Sequence, residues 1–353
     1  MVAGQPAVEN ASGVVHLTVA QKVDDGHFSH GGHSLSARSR RTTPRVRGPV
    51  FARRSRDGKV APPRGGAGLS PWALVLILVA AVAHASWNVL SKKASEADGL
   101  VFVWLVAVAA AVVWAPLFAS FLIVTGTFPT WQNLAVISGS MALHLGYFVL
   151  LQRGYGTADL SVVYPVARGT GPMLASLAAV LFLGERPSPA GVAGIVLVGV
   201  GVFMLSGGSA KVGLKEVAPG LLTGVFIAGY TVWDSQVVST FAVAPLMLNY
   251  LGEALRALVL APVVLGTRRK LVLPVWREHR SRIVGTAVLI FVSYALVLFA
   301  FTMAPVSVVA PAREISVLIG VVLGGRLLAE GDMRRRLLAA GVIVGGVVAV
   351  TLS

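Results

Sequence analysis

The chain has 353 residues, 55% hydrophobic and 13% charged, with a mean hydropathy of +0.77. A soluble domain carries about 25% charged residues to solvate its surface, so half that share excludes an ordinary water-exposed globule. The lack of cysteine excludes disulfides, thiolate nucleophiles and cysteine-ligated metals.

The formal charge of +15 is high enough for a nucleic-acid binder, but its placement argues against that partner. Much of it precedes residue 70, and most of the rest flanks apolar blocks, where membrane proteins place Lys and Arg to set orientation. No basic stretch is interleaved with aromatics on a foldable element. The expected partners are therefore membrane lipid and a small molecule, with no nucleic acid.

Residues 1–70 form a basic segment. Ser34–Arg64 is rich in Arg, Ser, Pro and Gly, with Asp57 as its only acid. Such a stretch buries too little apolar surface to offset the entropy of ordering, so a disordered tail is expected. It is not a secretory signal peptide, because the first long apolar run begins only after it. An organelle transit peptide and a translation start at Val50 or Val60 are both compatible with it.

From Pro71 onward, apolar blocks of about 20 residues alternate with short polar breaks. At 1.5 Å per residue, each crosses a hydrocarbon layer about 30 Å thick. The blocks predict an all-α membrane protein with ten transmembrane helices: Trp72–Leu90, Leu100–Val124, Leu134–Leu151, Leu160–Leu183, Ala190–Leu205, Gly220–Val238, Ala242–Leu265, Ile283–Ala300, Ser307–Leu328 and Leu337–Leu352. Runs such as WALVLILVAAVA do not alternate, which excludes a barrel. The fifth and tenth spans are short and glycine-rich. Gly191, Gly194, Gly199 and Gly201, with the GxxxG pair Gly341 and Gly345, predict close helix packing.

The two halves resemble each other. ARGTGPMLASLAAVLFLGERPSPAG aligns with AREISVLIGVVLGGRLLAEGDMRRR, placing Arg168 on Arg313 and Glu185 on Glu330. One gap pairs Pro165 with Pro311, and Trp87–Asn88 falls on Trp233–Asp234. The expected units are residues 71–208 and 216–353, each of five helices. An odd span count makes consecutive repeats enter the membrane in opposite orientation. Such an inverted repeat is the usual basis of alternating access.

These features are similar to the drug/metabolite transporter superfamily, in particular its EamA-type ten-helix members, over residues 71–353. The resemblance rests on the proline early in the fourth span and on the following LAAVLFLGERPSPAGVAGIVLVGVGVFML. That family shows a Gly-Glu-Arg turn between its fourth and fifth helices and a glycine-rich fifth helix. The second half departs from it, since LLAEGDM keeps Glu330 but loses the triplet. AHASWNVLSKKA resembles a subgroup with a His-x-x-Trp-Asn pattern, some members of which are linked to phosphonate use. The resemblance implies transport of small metabolites such as amino acids, nucleosides or amines, and cytoplasmic termini. It does not fix the substrate.

A charge at the bilayer centre costs about 2.5–3.5 kcal/mol on insertion scales, so each retained one needs a reason. Arg168, Asp234, Glu253, Arg256, Arg313 and Glu314 fall inside predicted spans. Glu253 and Arg256, three apart, are expected to satisfy each other. Arg168 and Arg313 occupy equivalent repeat positions and are expected on opposite walls of one cavity, where a guanidinium fork suits a carboxylate or phosphonate. Asp234 and Glu314 are candidate carriers of a coupling ion, or else counter-ions of those arginines. His84, Trp87 and Asn88 share one helix face and could line a polar ligand or simply bond between helices. Tyr164 and Tyr230 are further substrate-binding candidates, with Tyr147 and Asn249 behind them. His144 is read as a packing residue. Glu185 and Glu330 are expected in turn or interface roles.

No phosphate cradle, HExxH, nucleophile elbow or metal-spaced His cluster occurs, so no catalytic residue, cofactor or metal is predicted. The expected function is secondary transport of a small anionic or zwitterionic metabolite, with protons as a candidate coupling ion. The expected setting is a bacterial plasma membrane, as a multi-pass monomer or homodimer. The alternative is a membrane-embedded enzyme or assembly factor. The loop charges, unlike the family resemblance, place both termini outside, because the loops after the odd-numbered spans carry nearly all the Lys and Arg. The basic tail opposes that bias.

Overall fold

The computed structural model describes residues 70–92, 98–157, 160–205, 214–319 and 333–352, all within one unit. The basic tail to residue 69 and Glu330 lie outside the described residues. Every regular element described is a helix: α1 (Pro71–Lys92), α2 (Gly99–Thr125), α3 (Trp131–Thr157), α4 (Leu160–Leu183), α5 (Pro189–Leu205), α6 (Leu214–Ser239), α7 (Pro245–Thr267), α8 (Arg269–Phe301), α9 (Val306–Ala312) and α10 (Met333–Thr351). Six of them, α1 to α4, α7 and α8, contain stretches long and apolar enough to cross a membrane, and Pro189–Met204 and Leu338–Thr351 are shorter apolar stretches. Helix α6, which carries Lys215, Glu216 and Asp234, is outside that set. Apolar side chains also face outward. Ile123 is 79% exposed and Phe182 81% exposed, which suits lipid and would be costly in water.

Local chemistry sets the helix ends. Asp98 caps α2 by accepting the Leu100 and Val101 N–H groups, and α2 stops at Gly126, which sits in the left-handed region at φ 62°. Gly184 does the same after α4 at φ 69°. There the Glu185 N–H reaches back to the Ala179 carbonyl at 3.2 Å, so the chain past the left-handed glycine still satisfies a carbonyl of the last turns. The Gly184-Glu185-Arg186 turn therefore has a mechanical basis: glycine takes the left-handed position and the next side chain swings clear of the helix. The Glu185 carboxylate then accepts the N–H groups of Val306 and Ser307, both at 2.9 Å. That satisfies two of the unpaired donors at the start of α9. The interface role expected for Glu185 is this cap.

Three expectations need correction. The eighth span was expected to begin at Ile283, but α8 begins at Arg269, directly after α7. The basic stretch between is amphipathic at helical spacing: Val275, His279 and Ile283 are buried, while Arg277 and Arg280 are exposed. Charge alone had marked it as a loop. The ninth span was expected to be continuous from Ser307. Instead α9 ends at Ala312, Arg313 and Glu314 form a turn, and helix resumes over 315–319. An apolar period does not register this local tightening. The third correction concerns glycine. A Cβ on Gly341 or Gly345 would meet nothing within 4 Å, so among the described residues that GxxxG pair packs against no other helix. The close approach of α5 and α10 runs instead through Gly194, Gly201 and Gly346, where a Cβ on Gly194 would stand 2.6 Å from the Gly346 carbonyl oxygen.

The extensive helix contacts are α1 with α8, α3 with α6, α4 with α6, α2 with α7 and α8, and α5 with α10. The main core joins Ile77, Ile137, Val198, Met247, Leu298 and Ile343, and a second cluster joins Val101, Phe102 and Leu105 of α2 to Val264 and Ile283. Polar ties cross between helices where lipid supplies no hydrophobic drive. Trp104 Nε1 donates to the Ala257 carbonyl at 2.9 Å, Tyr250 to Ala111 at 3.1 Å, Asn249 to Phe291 at 2.9 Å, and Ser293 to Ala80 at 3.0 Å. Asn249, a secondary ligand candidate, is thus a tie between α7 and α8. Glu253 and Arg256 satisfy each other as expected, at 2.8 and 3.1 Å. At one end of the bundle Arg268 pairs with Asp98.

Candidate functional site

Helices α1, α3, α4, α6 and α8 and the turn after α9 bring their buried polar residues together. Arg168 projects from α4, and its guanidinium stands 3.5 Å from Glu314 Oε1. It also meets His84 Nε2 on α1. On the far side of that imidazole, Trp87 Nε1 donates to Nδ1 at 3.3 Å. Indole and guanidinium are both donors, and a neutral imidazole offers a single acceptor nitrogen. His84 can therefore satisfy only one of them at a time. Asn88 turns away and donates to the His84 carbonyl at 2.8 Å, a local bond within α1.

Arg313 enters from the turn that interrupts the ninth span. There the Ser316 and Val317 N–H groups bond to the carbonyls of Arg313 and Glu314, at 3.0 and 2.9 Å, each spanning three residues instead of four. The tightened backbone aims two adjacent charges inward. The Arg313 guanidinium lies over the Tyr294 ring, 5.8 Å from its centroid, a cation–π arrangement. Among the described residues it makes no hydrogen bond or ion pair. Arg168, Arg313 and His84 line one narrow cavity with Ala80, Ser293 and Ser316. Its free space is about that of a single water molecule.

A second cluster adjoins. Asp234 on α6 is fully buried, and one carboxylate oxygen accepts from the Tyr294 hydroxyl and contacts His144 Nε2 at 3.0 Å. The other oxygen, Oδ1, has no partner among the described residues, and neither does Glu314 Oε2. The His144 ring stacks on Tyr230 at 4.0 Å between centroids and meets Tyr294 edge-on at 5.3 Å. Tyr147 packs edge-on against Tyr230 at 5.9 Å. The reading of Asp234 as counter-ion to an arginine is corrected here: its partners are a histidine and a phenol. Glu314, by contrast, does pair with Arg168.

The structure thus gathers Arg168, Arg313, Glu314, His84 and Trp87 on one side, and Asp234, Tyr230 and His144 on the other, with Tyr294 between them. The side chain of Tyr164 lies outside the described residues. His144 had been read as packing, and Tyr294 had not been singled out. The signal for Tyr294 was available, since Ser293 and Tyr294 interrupt the apolar run of α8. Among the described residues no group of acidic, His or Cys side chains is placed to hold a metal.

An all-helical bundle with apolar side chains facing outward around a buried polar centre is that of a multi-pass integral membrane protein. Residues 71–207 match the model of the EamA-like transporter family. No curated protein matches the chain. A solved structure, described only as the crystal structure of a protein, is similar at a TM-score of 0.65 and 17% identity, covering 79% of this chain and 96% of that one. At that identity the likeness is one of fold.

Proposed function

We propose that this protein is a secondary transporter that moves a small anionic or zwitterionic metabolite by alternating access, with Arg168 and Arg313 as its anchors. The observation that carries the reading is their meeting at one cavity, one from each half of the chain. A planar guanidinium presents paired donors to a carboxylate or phosphonate. Among the described residues Arg313 is held by an aromatic face and makes no hydrogen bond, so its donors are available to such a group.

A ten-helix inverted repeat fits several of the helix contacts. If α1 to α5 correspond to α6, α7, α8, the interrupted ninth span and α10, exchanging the halves exchanges α1–α8 with α3–α6 and α2–α8 with α3–α7. The same exchange returns α2–α7, α4–α9 and α5–α10 to themselves, and all of these contacts occur. A helix interrupted at a buried charged site is also the arrangement by which many transporters expose backbone and charge to substrate. The cavity in this conformation is too small for a metabolite, so loading requires the surrounding helices to part.

The test is counterflow in proteoliposomes over a panel of carboxylates, phosphonates and amino acids. Exchange of at least one is expected, and no exchange across the panel overturns the reading. Arg168→Lys and Arg313→Lys keep the charge but lose the fork. At least one should abolish binding of the transported compound, whereas normal transport by both removes the anchoring role.

A further inference from the structure

We infer that Glu314 is a built-in stand-in for the substrate's carboxylate: a monoanion displaces it from Arg168, and the displaced Glu314 takes up a proton. This rests on the transporter reading and adds its coupling.

The observations are geometric. Glu314 reaches Arg168 through Oε1 at 3.5 Å, while its Oε2 has no partner among the described residues. Glu314 is therefore held by one long contact. Arg168 faces the cavity as well as Glu314, so an anion entering there meets the same guanidinium. Arg313, the neighbour of Glu314 in the chain, lines the same cavity and offers the anion a second cation. The His84 imidazole cannot accept from both Trp87 and Arg168. An incoming anion offers the Arg168 guanidinium a further acceptor.

Once its cation is engaged elsewhere, Glu314 is a carboxylate sealed among apolar side chains. It is 2% exposed, in a segment where Val309, Ala310 and Ala312 are buried as well. A buried charge without a partner is too costly to persist, and a carboxylate escapes the cost by taking a proton. Among the described residues, the cations acting on Glu314 are Arg168 and Arg313. Arg168 comes from α4 and Arg313 from its own turn. Helix α6 offers Asp234 and Tyr230, α8 offers Tyr294, and α5 has no titratable residue along its length. The described side chains of α10, from Leu338 onward, have none either. Nearby on α1 lies His84, already engaged by Trp87.

The charge balance gives the stoichiometry. One Arg168–Glu314 ion pair breaks and one Arg168–substrate ion pair forms. The site gains one negative charge with the anion and one positive charge with the proton that binds Glu314. The loaded centre thus has the same net charge as the empty one, and the protein moves one monoanion with one proton. Releasing the anion frees Arg168, Glu314 returns to it as a carboxylate, and the proton leaves.

The test uses the purified full chain in detergent, with propionate and L-lactate as probes, because both stay singly charged between about pH 6 and 9. Proton uptake is measured in weakly buffered solution with a pH-indicator dye, and binding is followed by tryptophan fluorescence, since Trp87 borders the site. Wild-type protein should take up close to one proton per bound anion, and its affinity should rise as pH falls, by up to about tenfold per pH unit, as linkage requires. Glu314→Gln should bind the anion without proton uptake and with little pH dependence. Binding without proton uptake in wild type overturns the inference, as does failure of both anions to bind. If Glu314→Gln does not fold, the wild-type measurement alone decides. Neither readout requires flux. Proton-linked binding without counterflow would sink the transporter reading, and counterflow without proton-linked binding would sink only this inference.

Discussion

The Tyr294 hydroxyl donates to the Asp234 carboxylate, while the face of the same ring carries the Arg313 guanidinium. One side chain of α8 therefore bridges the acidic and basic parts of the buried centre. Tyr294→Phe keeps the ring and removes only the donor, leaving His144 as the contact of Asp234. Loss of a hydrogen bond to a buried charged group costs about 1.5–3 kcal/mol. Thermal unfolding in detergent should show a lower midpoint for Tyr294→Phe and a lower one still for Tyr294→Ala, which also loses the cation–π contact. If the Phe variant melts with wild type, the hydroxyl is not holding Asp234.

Glu185 offers a test of how the turn after α4 is fastened to α9. Its carboxylate accepts two backbone N–H groups at the start of α9. Glu185→Ala leaves both donors buried without partners and should cost about 1–3 kcal/mol. Glu185→Gln keeps one acceptor and should fall between. Hydrogen exchange at Val306 and Ser307 reports the cap directly. Protection there should drop in the Ala variant, and unchanged protection would mean that the cap is dispensable.

Glycine positions separate a face that packs from one that does not. A Cβ on Gly346 would stand 2.7 Å from the Gly194 carbonyl oxygen, whereas at Gly341 and Gly345 it would meet nothing within 4 Å. Gly194→Ala and Gly346→Ala should destabilise by about 1–3 kcal/mol through overpacking. Gly341→Ala and Gly345→Ala should be neutral or stabilising by up to about 1 kcal/mol, because alanine is the better helix former. Melting midpoints of the four single variants decide, and a Gly346→Ala protein as stable as wild type would mean that α5 and α10 are free to separate.

The sequence carried the helices and much of the centre for a simple reason. Twenty-residue apolar blocks have one stable form in lipid, and a charge inside such a block stands out against it. Arg168, Arg313, Asp234 and Glu314 were legible on that ground. What escaped was everything that depends on facing direction. The GxxxG spacing at Gly341 is a pattern on one helix, but which face meets α5 is set by the whole bundle. His144 was a lone histidine until α6 placed Asp234 beside it. The turn at Arg313 involves three-residue backbone bonds that no side-chain period records. The basic stretch before Ile283 was misread because its charges outweighed the spacing of Val275 and His279.

Orientation is the last matter, and the structure sharpens its test. Asp98, after α1, pairs with Arg268, between α7 and α8, so those two junctions share one end of the bundle. Glu185, after α4, caps α9, after α8, so those two share an end as well. Both ties agree with ten crossings in which odd-numbered junctions lie together. The first of these ends holds Arg268, Arg269, Lys270, Arg277 and Arg280, continued along the start of α8, while the turn after α4 carries only Arg186. Short basic segments are retained on the cytoplasmic side, so the Arg268 end is expected inside and the termini outside. The basic tail pulls the other way, since Arg53, Arg54, Arg56, Lys59 and Arg64 precede α1 closely and would hold the N-terminus in. The loop bias is larger and recurs along the chain. The protein has no cysteine of its own, and Arg277 is exposed on α8, so Arg277→Cys provides a single reporter. An impermeant maleimide should leave it unlabelled in intact cells and label it after permeabilisation. Labelling in intact cells would place the Arg268 end outside, the termini in the cytoplasm, and the decisive charge in the tail.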